Sequence, residues 1–168
     1  MAKTGIENDD LIINGQSSVQ ESVYGFIYRT ADLTGIESTG WTDTEFTGGS
    51  VVKVNVTHDT GTNPERVAVD LAGKYKISYM VNGFCDNSIH TTYTRLIKNG
   101  STELVGSGAP ESTHTSYAFS ISVTIIADLA ANDYITLQGR TDSNTSQWKG
   151  ETNLDTPVAA QILIKRIG

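Results

Sequence analysis

Apolar and polar residues alternate with a period of two along most of this chain, in short runs broken by Gly, Asn, Asp and Thr. The clearest run covers residues 117–125, which read YAFSISVTI. Side chains on a β-strand point alternately to its two faces, so this period predicts half-buried strands. We expect about eight strands, near residues 23–28, 51–56, 67–71, 74–81, 91–96, 117–125, 134–138 and 158–167.

Hardly any segment has the apolar spacing of a helix, and residues 128–131 are better interpreted as a turn. The chain also shows no internal repeat of fixed period, which disfavours a propeller or a solenoid. Because each strand has one apolar and one polar face, two antiparallel sheets must stack over a shared core. The pattern therefore predicts an all-β sandwich.

The length of 168 residues suits one domain, which we place at residues 22–168. Residues 1–21 are mostly polar and acidic, with one apolar patch at Leu11, Ile12 and Ile13, so we interpret them as an N-terminal arm outside the core. Two interpretations of the arm stay open: a disordered terminus, or a segment that becomes ordered on a partner, with Ile12 and Ile13 as its anchors and Leu11 as a further partner-binding candidate.

The charge balance limits the classes of partner, and the cysteine count limits how the fold is stabilised. Twelve basic residues against 19 acidic ones give a net charge of −7, which argues against nucleic acid and anionic membranes as partners. The single cysteine, Cys85, excludes an intramolecular disulfide, so packing or oligomerisation must stabilise the fold. No apolar stretch follows Met1, so we expect no signal peptide and synthesis in a reducing cytosol.

No residue pattern indicates catalysis. His58, His90 and His114 lie in Thr- and Ser-rich surroundings without the spacing of a catalytic or zinc motif. The acidic pairs, Asp9 with Asp10 and Asp43 with Glu45, are interpreted as solvated loops, although calcium binding through loop carbonyls stays open. We expect no enzyme activity, no cofactor and no metal site.

Four segments, in this order and spacing, resemble the tumour-necrosis-factor superfamily and the globular heads of complement-type proteins. Residues 71–81 (LAGKYKISYMV) resemble the Gly-x-Tyr opening of an inner strand, and residues 95–100 (RLIKNG) resemble a later strand that ends at a Lys-Asn-Gly turn. Residues 123–137 and 159–168 resemble the family's penultimate segment and terminal strand. The likeness covers residues 41–168 and departs at Asn132, where the family usually has Gly; Asn tolerates the positive φ of such a turn.

The resemblance implies a jelly roll that forms a homotrimer about a threefold axis. One face of the inner sheet would then lie on the core, for which we predict Tyr75, Ile77, Tyr79, Phe119, Ile121, Val123, Ile162 and Ile164. The other face would meet the trimer mates through Met80, Ala118, Ser120, Ser122, Gln161 and Leu163. The opposite phase stays open, since a shift of one residue exchanges the two faces. The aromatic row Tyr24, Phe26 and Tyr28 fits either the core or an interface.

Trp41 and Trp148 fall in the polar segments 37–47 and 142–152. Tryptophan on a surface usually packs or binds, and it is enriched at binding hot spots. Each ring therefore either covers an end of the sandwich or contacts a partner. For Trp148 that partner would be a sugar or a peptide, held by the amides and hydroxyls of residues 143–147.

Versions of this domain without a stalk, made in the cytosol, resemble phage virion proteins. The first expectation is a capsid decoration (cement) protein that resides in the virion and binds the major capsid protein or another virion component. The alternative is a receptor- or glycan-binding tip of a head or tail fibre. A signalling ligand of the tumour-necrosis-factor type is the third interpretation, and it would need a secretion route that the N-terminus does not offer.

Overall fold

Strands dominate the computed structural model, which describes residues 12–13, 16–17, 21–34, 36, 40–48, 50–85, 90–113, 117–142, 146–149 and 158–168. Within these ranges there are fifteen strand segments and no helix. They are β1 (Ile12–Ile13), β2 (Gln16–Ser17), β3 (Tyr24–Arg29), β4 (Thr42–Asp43), β5 (Ser50–Val54), β6 (Val56–Thr57), β7 (Val67–Val69), β8 (Gly73–Cys85), β9 (His90–Lys98), β10 (Thr102–Glu103), β11 (Ala109–Thr113), β12 (Ala118–Leu129), β13 (Tyr134–Thr141), β14 (Ser146–Trp148) and β15 (Ala160–Arg166). All the predicted strands are present; β1, β2, β4, β10, β11 and β14 are additional short ones.

Two antiparallel sheets form the sandwich. The inner sheet has the order β12-β8-β15-β3-β5, with β14 also pairing with β8. The outer sheet has the order β10-β9-β13-β7-β6, with β11 pairing with β9 and β4 with β13. The longest ladder joins β12 to β8, from Ala118 opposite Phe84 to Leu129 opposite Gly73. The strands β1 and β2 pair only with each other, within the predicted arm; the rest of that arm up to residue 20 lies outside the described residues.

The core lies between the sheets, in the predicted phase of the inner strands. Of the eight predicted core residues, seven are buried and Val123 is half-buried against the same cluster. The outer sheet contributes Leu96, Ile135 and Leu137, all fully buried. Because alternate residues on β8, β12 and β15 are apolar, burying them on one side places their polar neighbours on the other. The predicted phase of these three strands is confirmed.

The aromatic row of β3 does not belong to the core. Tyr24 is exposed and Phe26 and Tyr28 are half-buried on the outward side of the inner sheet. A Cβ at Gly25, on the core side, would lie only 3.0 Å from Cγ1 of Val56, so the small residue lets the strand approach closely. The core alternative for the aromatic row is therefore wrong, because the opposite phase of the strand is buried: Val23, Gly25, Ile27 and Arg29.

Arg29 is buried, and three backbone carbonyl oxygens accept hydrogen bonds from its guanidinium. Its Nε, Nη1 and Nη2 atoms donate to the carbonyl oxygens of Ala31 (2.8 Å), Glu45 (2.8 Å) and Asp32 (2.7 Å). Hydrogen bonds of this kind offset the desolvation of a buried guanidinium. The side chain thus ties the end of β3 to the segments that follow it.

Trp148 lies in the core and not on a surface. Its side chain is 0% exposed, and β14 places it opposite Gly83 of β8. A Cβ at Gly139, on the outer sheet, would lie 2.2 Å from Cζ2 of the indole, so the ring occupies space that only a glycine leaves open. The prediction that Trp148 contacts a sugar or peptide partner is wrong, because the ring has no free face.

The turn at Asn132 behaves as the sequence suggests. Asn132 has a φ of +68°, in the left-handed region that favours Gly and that Asn tolerates better than most residues. The next residue, Asp133, accepts hydrogen bonds from Nδ2 of Asn99 (2.7 Å) and from the backbone N–H of Ala130 (2.8 Å). These bonds, that of Asn99 first, hold the pKa of Asp133 below its usual value. The carboxylate therefore joins two turns at one end of the outer sheet.

Tyr79 is expected to make the fold sensitive to alkaline pH. Its buried hydroxyl donates to the carbonyl of Ser107 (2.6 Å) and lies 2.8 Å from Oγ1 of Thr94, and burial raises its pKa to about 12. Since the unfolded value is about 10, this group's contribution to stability is complete below pH 10 and is lost as the pH rises towards 12. Tyr79→Phe should lower the free energy of unfolding by about 1–2 kcal/mol at neutral pH. Between about pH 9 and 12, the melting temperature should fall more steeply with pH for the unaltered protein than for the variant.

Candidate functional site

The first candidate surface is the outward side of the inner sheet, called the open face below. It carries all six predicted interface residues. Met80 and Gln161 are half-buried there, whereas Ala118, Ser120, Ser122 and Leu163 are exposed. Their placement follows from the confirmed phase of β8, β12 and β15; their role in an interface stays a prediction.

Exposed apolar side chains concentrate on the β15-β3-β5 part of the open face. Leu163 is 44% exposed and lies opposite Phe26, which lies opposite Val52, 46% exposed. Tyr24 (37% exposed) follows in the next row, and the rings of Phe26 and Tyr28 stack with centroids 6.0 Å apart. These side chains adjoin one another on one face, and large exposed apolar patches are typical of interaction surfaces.

The β12 side of the open face is different in character. Its outward residues Ala118, Ser120, Ser122 and Thr124 are small, and only Ile126, 61% exposed, adds a large apolar side chain. Small side chains allow another backbone to approach closely. The open face thus has a bulky apolar half and a small polar half.

Two lysines face each other at one end of the open face. Lys76 on β8 and Lys165 on β15 are register partners, and both are exposed. Neighbouring Lys74 forms an ion pair with Asp128 at 3.1 Å, but Lys76 and Lys165 have no such partner among the described residues. Like charges directly opposite on neighbouring strands are destabilising. A negative charge placed beside Lys76 and Lys165 would therefore reduce their repulsion.

A second candidate surface, called the Trp41 cluster below, lies on the outer sheet. Trp41 directly precedes β4 and is half-buried. The guanidinium of Arg95 stands 3.9 Å from the centroid of its ring, and that of Arg140 stands 5.3 Å from it. Arg140 also lies 5.1 Å from the ring of Tyr93. These distances are those of cation–π contacts.

Hydrogen bonds fix one side of the Trp41 cluster. Arg95 donates through Nε to Oε1 of Gln138 (2.9 Å) and through Nη1 to Oε2 of Glu103 (3.1 Å). Gln138 in turn donates through Nε2 to Oδ1 of Asp43 on β4 (2.8 Å). The strand that positions Trp41 is therefore joined to both central strands of the outer sheet.

Of the five predicted partner-binding residues, Trp41 is half-buried on the outer sheet and Trp148 is buried in the core; the binding role of Trp41 stays a prediction. Leu11 lies outside the described residues, and Ile12 and Ile13 form β1. Sequence reasoning missed the two arginines beside Trp41. The available signal was the strand period, which places Tyr93 with Arg95, and Gln138 with Arg140, on the outward side of their strands.

Two of the three histidines are buried within the fold. His58 is buried, with Nδ1 2.9 Å from the carbonyl oxygen of Arg66 and Nε2 3.0 Å from that of Phe46. His90 is buried with Nδ1 3.6 Å from Asp142, and His114 lies outside the described residues. In the part of the chain that the structure describes, no group of three or more His, Cys, Asp or Glu side chains has the arrangement of a metal site. Nor does any helix in that part have the length and apolar character needed to cross a membrane.

Comparisons with solved structures identify the fold. The globular domain of zebrafish complement 1qA superimposes with a TM-score of 0.59 at 11% identity, over 88% of this chain and 98% of that one. Murine APRIL superimposes with a TM-score of 0.59 at 11% identity, over 88% of this chain and 100% of that one. No protein-family model and no curated protein sequence matches the chain. The predicted jelly roll of the tumour-necrosis-factor and complement-head type is confirmed, and at this identity the likeness is one of fold alone.

Proposed function

We propose that this chain is a non-enzymatic binding protein that assembles as a homotrimer through its open face. The observation that carries the proposal is the concentration of exposed apolar side chains there, among them Leu163, Val52 and Tyr24. Burying apolar surface contributes roughly 25 cal/mol per Å², so a second protein surface on this face is favourable. The sequence resemblance described above supplies the threefold symmetry.

The two halves of the open face suit a second copy of the same chain. The bulky half on β15, β3 and β5 is apolar, while the half formed by Ala118, Ser120 and Ser122 on β12 is small and leaves room for bulky side chains. A contact between unlike halves is heterologous, and such contacts close into a ring when the rotation between copies allows it. In a threefold ring, every copy makes the same two contacts, one through each half of its open face.

We further propose that the trimer is a phage capsid decoration protein, located in the virion, that clamps neighbouring subunits of the major capsid protein. The net charge of −7 supports this, because an acidic outer surface stays soluble and does not adhere to packaged genome. Three equivalent weak contacts per trimer would sum by avidity to firm attachment. The arm at residues 1–21 would add further contacts to the lattice.

Co-sedimentation tests the decoration role. The protein should pellet with assembled phage capsids that lack it, and should stay in the supernatant with unassembled major capsid protein. A variant lacking residues 1–20 should keep its trimeric mass and lose capsid binding. Binding retained by the shortened chain would remove the arm from the account, and binding to neither capsids nor subunits would remove the decoration role.

A receptor- or glycan-binding fibre tip is the second candidate function. The Trp41 cluster favours it, because a half-buried indole and a stacked guanidinium lie on the outer sheet, away from the open face. The free protein would then attach to cells or immobilised glycans without any capsid. A decoration protein would not.

A further inference from the structure

We propose that the Trp41 cluster binds a carboxylate-bearing saccharide, with Arg140 as the residue that recognises the anion. Trp41 and Tyr93 supply the rings on which the sugar packs. This inference deepens the second of the two proposed functions and is independent of trimer formation. It rests on a contrast between the two arginines of the cluster.

Arg95 and Arg140 both contact the indole of Trp41, but they differ in how many of their N–H groups are already hydrogen-bonded. The guanidinium of Arg95 is engaged by Gln138 and by the carboxylate of Glu103. That of Arg140 contacts the rings of Trp41 and Tyr93, and within the described ranges it has no hydrogen bond or ion pair. A guanidinium presents five N–H donors in a planar fork that matches a carboxylate bidentately. Arg140 is therefore the arginine of this cluster with donors left for a ligand.

Three described carboxylates near the cluster already have hydrogen-bond partners within the fold. Glu103 pairs with Arg95 at 3.1 Å, and Asp43 accepts from Gln138. Asp142, two residues beyond Arg140, accepts from the backbone N–H of Thr91 at 2.9 Å. Although the chain as a whole is acidic, no carboxylate among the described residues forms an ion pair with Arg140, so its guanidinium can still pair with a ligand. A ligand carboxylate is the group that would neutralise it.

The cluster stands on a rigid scaffold. Arg140 on β13 and Tyr93 on β9 are register partners in the centre of the outer sheet. The Arg95–Gln138–Asp43 hydrogen bonds hold β4, and so Trp41, against these strands. A site whose side chains are held before the ligand arrives loses less entropy on binding.

Among ligands that carry a carboxylate, the rings of Trp41 and Tyr93 favour a saccharide. The half-buried indole of Trp41 and the half-buried ring of Tyr93 offer apolar surface to the C–H groups of a pyranose ring. The neighbouring hydroxyls of Thr91 and Ser112, 3.1 Å apart, are polar groups that a sugar hydroxyl can reach. A uronic or sialic acid combines the ring, the hydroxyls and the carboxylate in one residue.

The test is a titration followed at the Trp41 indole N–H resonance by NMR. The probes are 3′-sialyllactose, tri-galacturonate, neutral maltotriose and inorganic phosphate. We expect the resonance to shift with one or both acidic sugars and to stay in place with maltotriose and phosphate. Arg140→Gln should weaken binding by about tenfold or more, and Arg140→Lys, which keeps the charge without the fork, should weaken it less.

Arg66, which directly precedes β7 of the same sheet, offers a matched control. Its guanidinium lies 4.6 Å from the ring centroid of Tyr134, but it already pairs with Glu65 at 3.0 Å. Arg66→Gln should leave sugar affinity unchanged. The proposal is overturned if neither acidic sugar shifts the resonance, if maltotriose or phosphate shifts it equally, or if Arg140→Gln binds as well as the unaltered chain. The mass of each variant in solution, measured separately, reports on the trimer alone.

Discussion

Leu163→Glu should separate the assembled protein into single chains of 18.1 kDa. Leu163 is 44% exposed in the apolar half of the open face, opposite Phe26. In a single chain the glutamate stays in water, so folding should hardly change. In a closed interface it would be an unpaired buried charge, which costs several kcal/mol and weakens association by roughly 10³-fold or more. Light scattering coupled to size exclusion measures the mass directly.

Val105 supplies the control for this prediction. It is 95% exposed in the turn between β10 and β11, away from the open face. Val105→Glu adds the same charge in place of an exposed apolar side chain and should leave the assembled mass unchanged. If Leu163→Glu keeps that mass, or if Val105→Glu loses it, the open face is not the surface that joins the copies.

Trp148→Ala should cause the largest loss of stability among the substitutions considered, about 3–5 kcal/mol. The indole is 0% exposed and fills the space above Gly139, so its removal leaves a cavity that the two sheets cannot close. For a domain of this size the midpoint of thermal unfolding should fall by roughly 10 °C. Thermal unfolding followed by far-UV circular dichroism measures it.

The companion substitution is Trp41→Ala. Because Trp41 is half-buried on the outer sheet, its loss should cost roughly 1 kcal/mol, from the cation–π contacts with Arg95 and Arg140. A similar melting temperature for the two variants would contradict the division of the tryptophans into one core ring and one surface ring.

The alternation of residues predicted the faces of β8, β12 and β15 because each strand has one apolar and one polar phase. The same reasoning could not place β3, where both phases are largely apolar: Val23 and Ile27 alternate with Tyr24 and Phe26. The phase is decided by contacts from distant segments. Gly25 fits against Val56 on the core side, which an aromatic residue would not.

The tryptophans show a second limit of a single sequence. Both lie in polar segments, and nothing local distinguishes them. Trp148 is buried because β14 pairs with the distant strand β8 and because Gly139 leaves room for the ring. Arg140 reaches Trp41 through the pairing of β4 with β13, two segments far apart in the chain. Such pairings are tertiary, and no period or motif encodes them.

The open face is proposed to join three copies of this chain. Sedimentation equilibrium of the unaltered protein, at concentrations from about 1 to 100 µM, tests it most directly. The account predicts a mass three times that of the 18.1 kDa chain across this range. A mass of one chain at every concentration would contradict it.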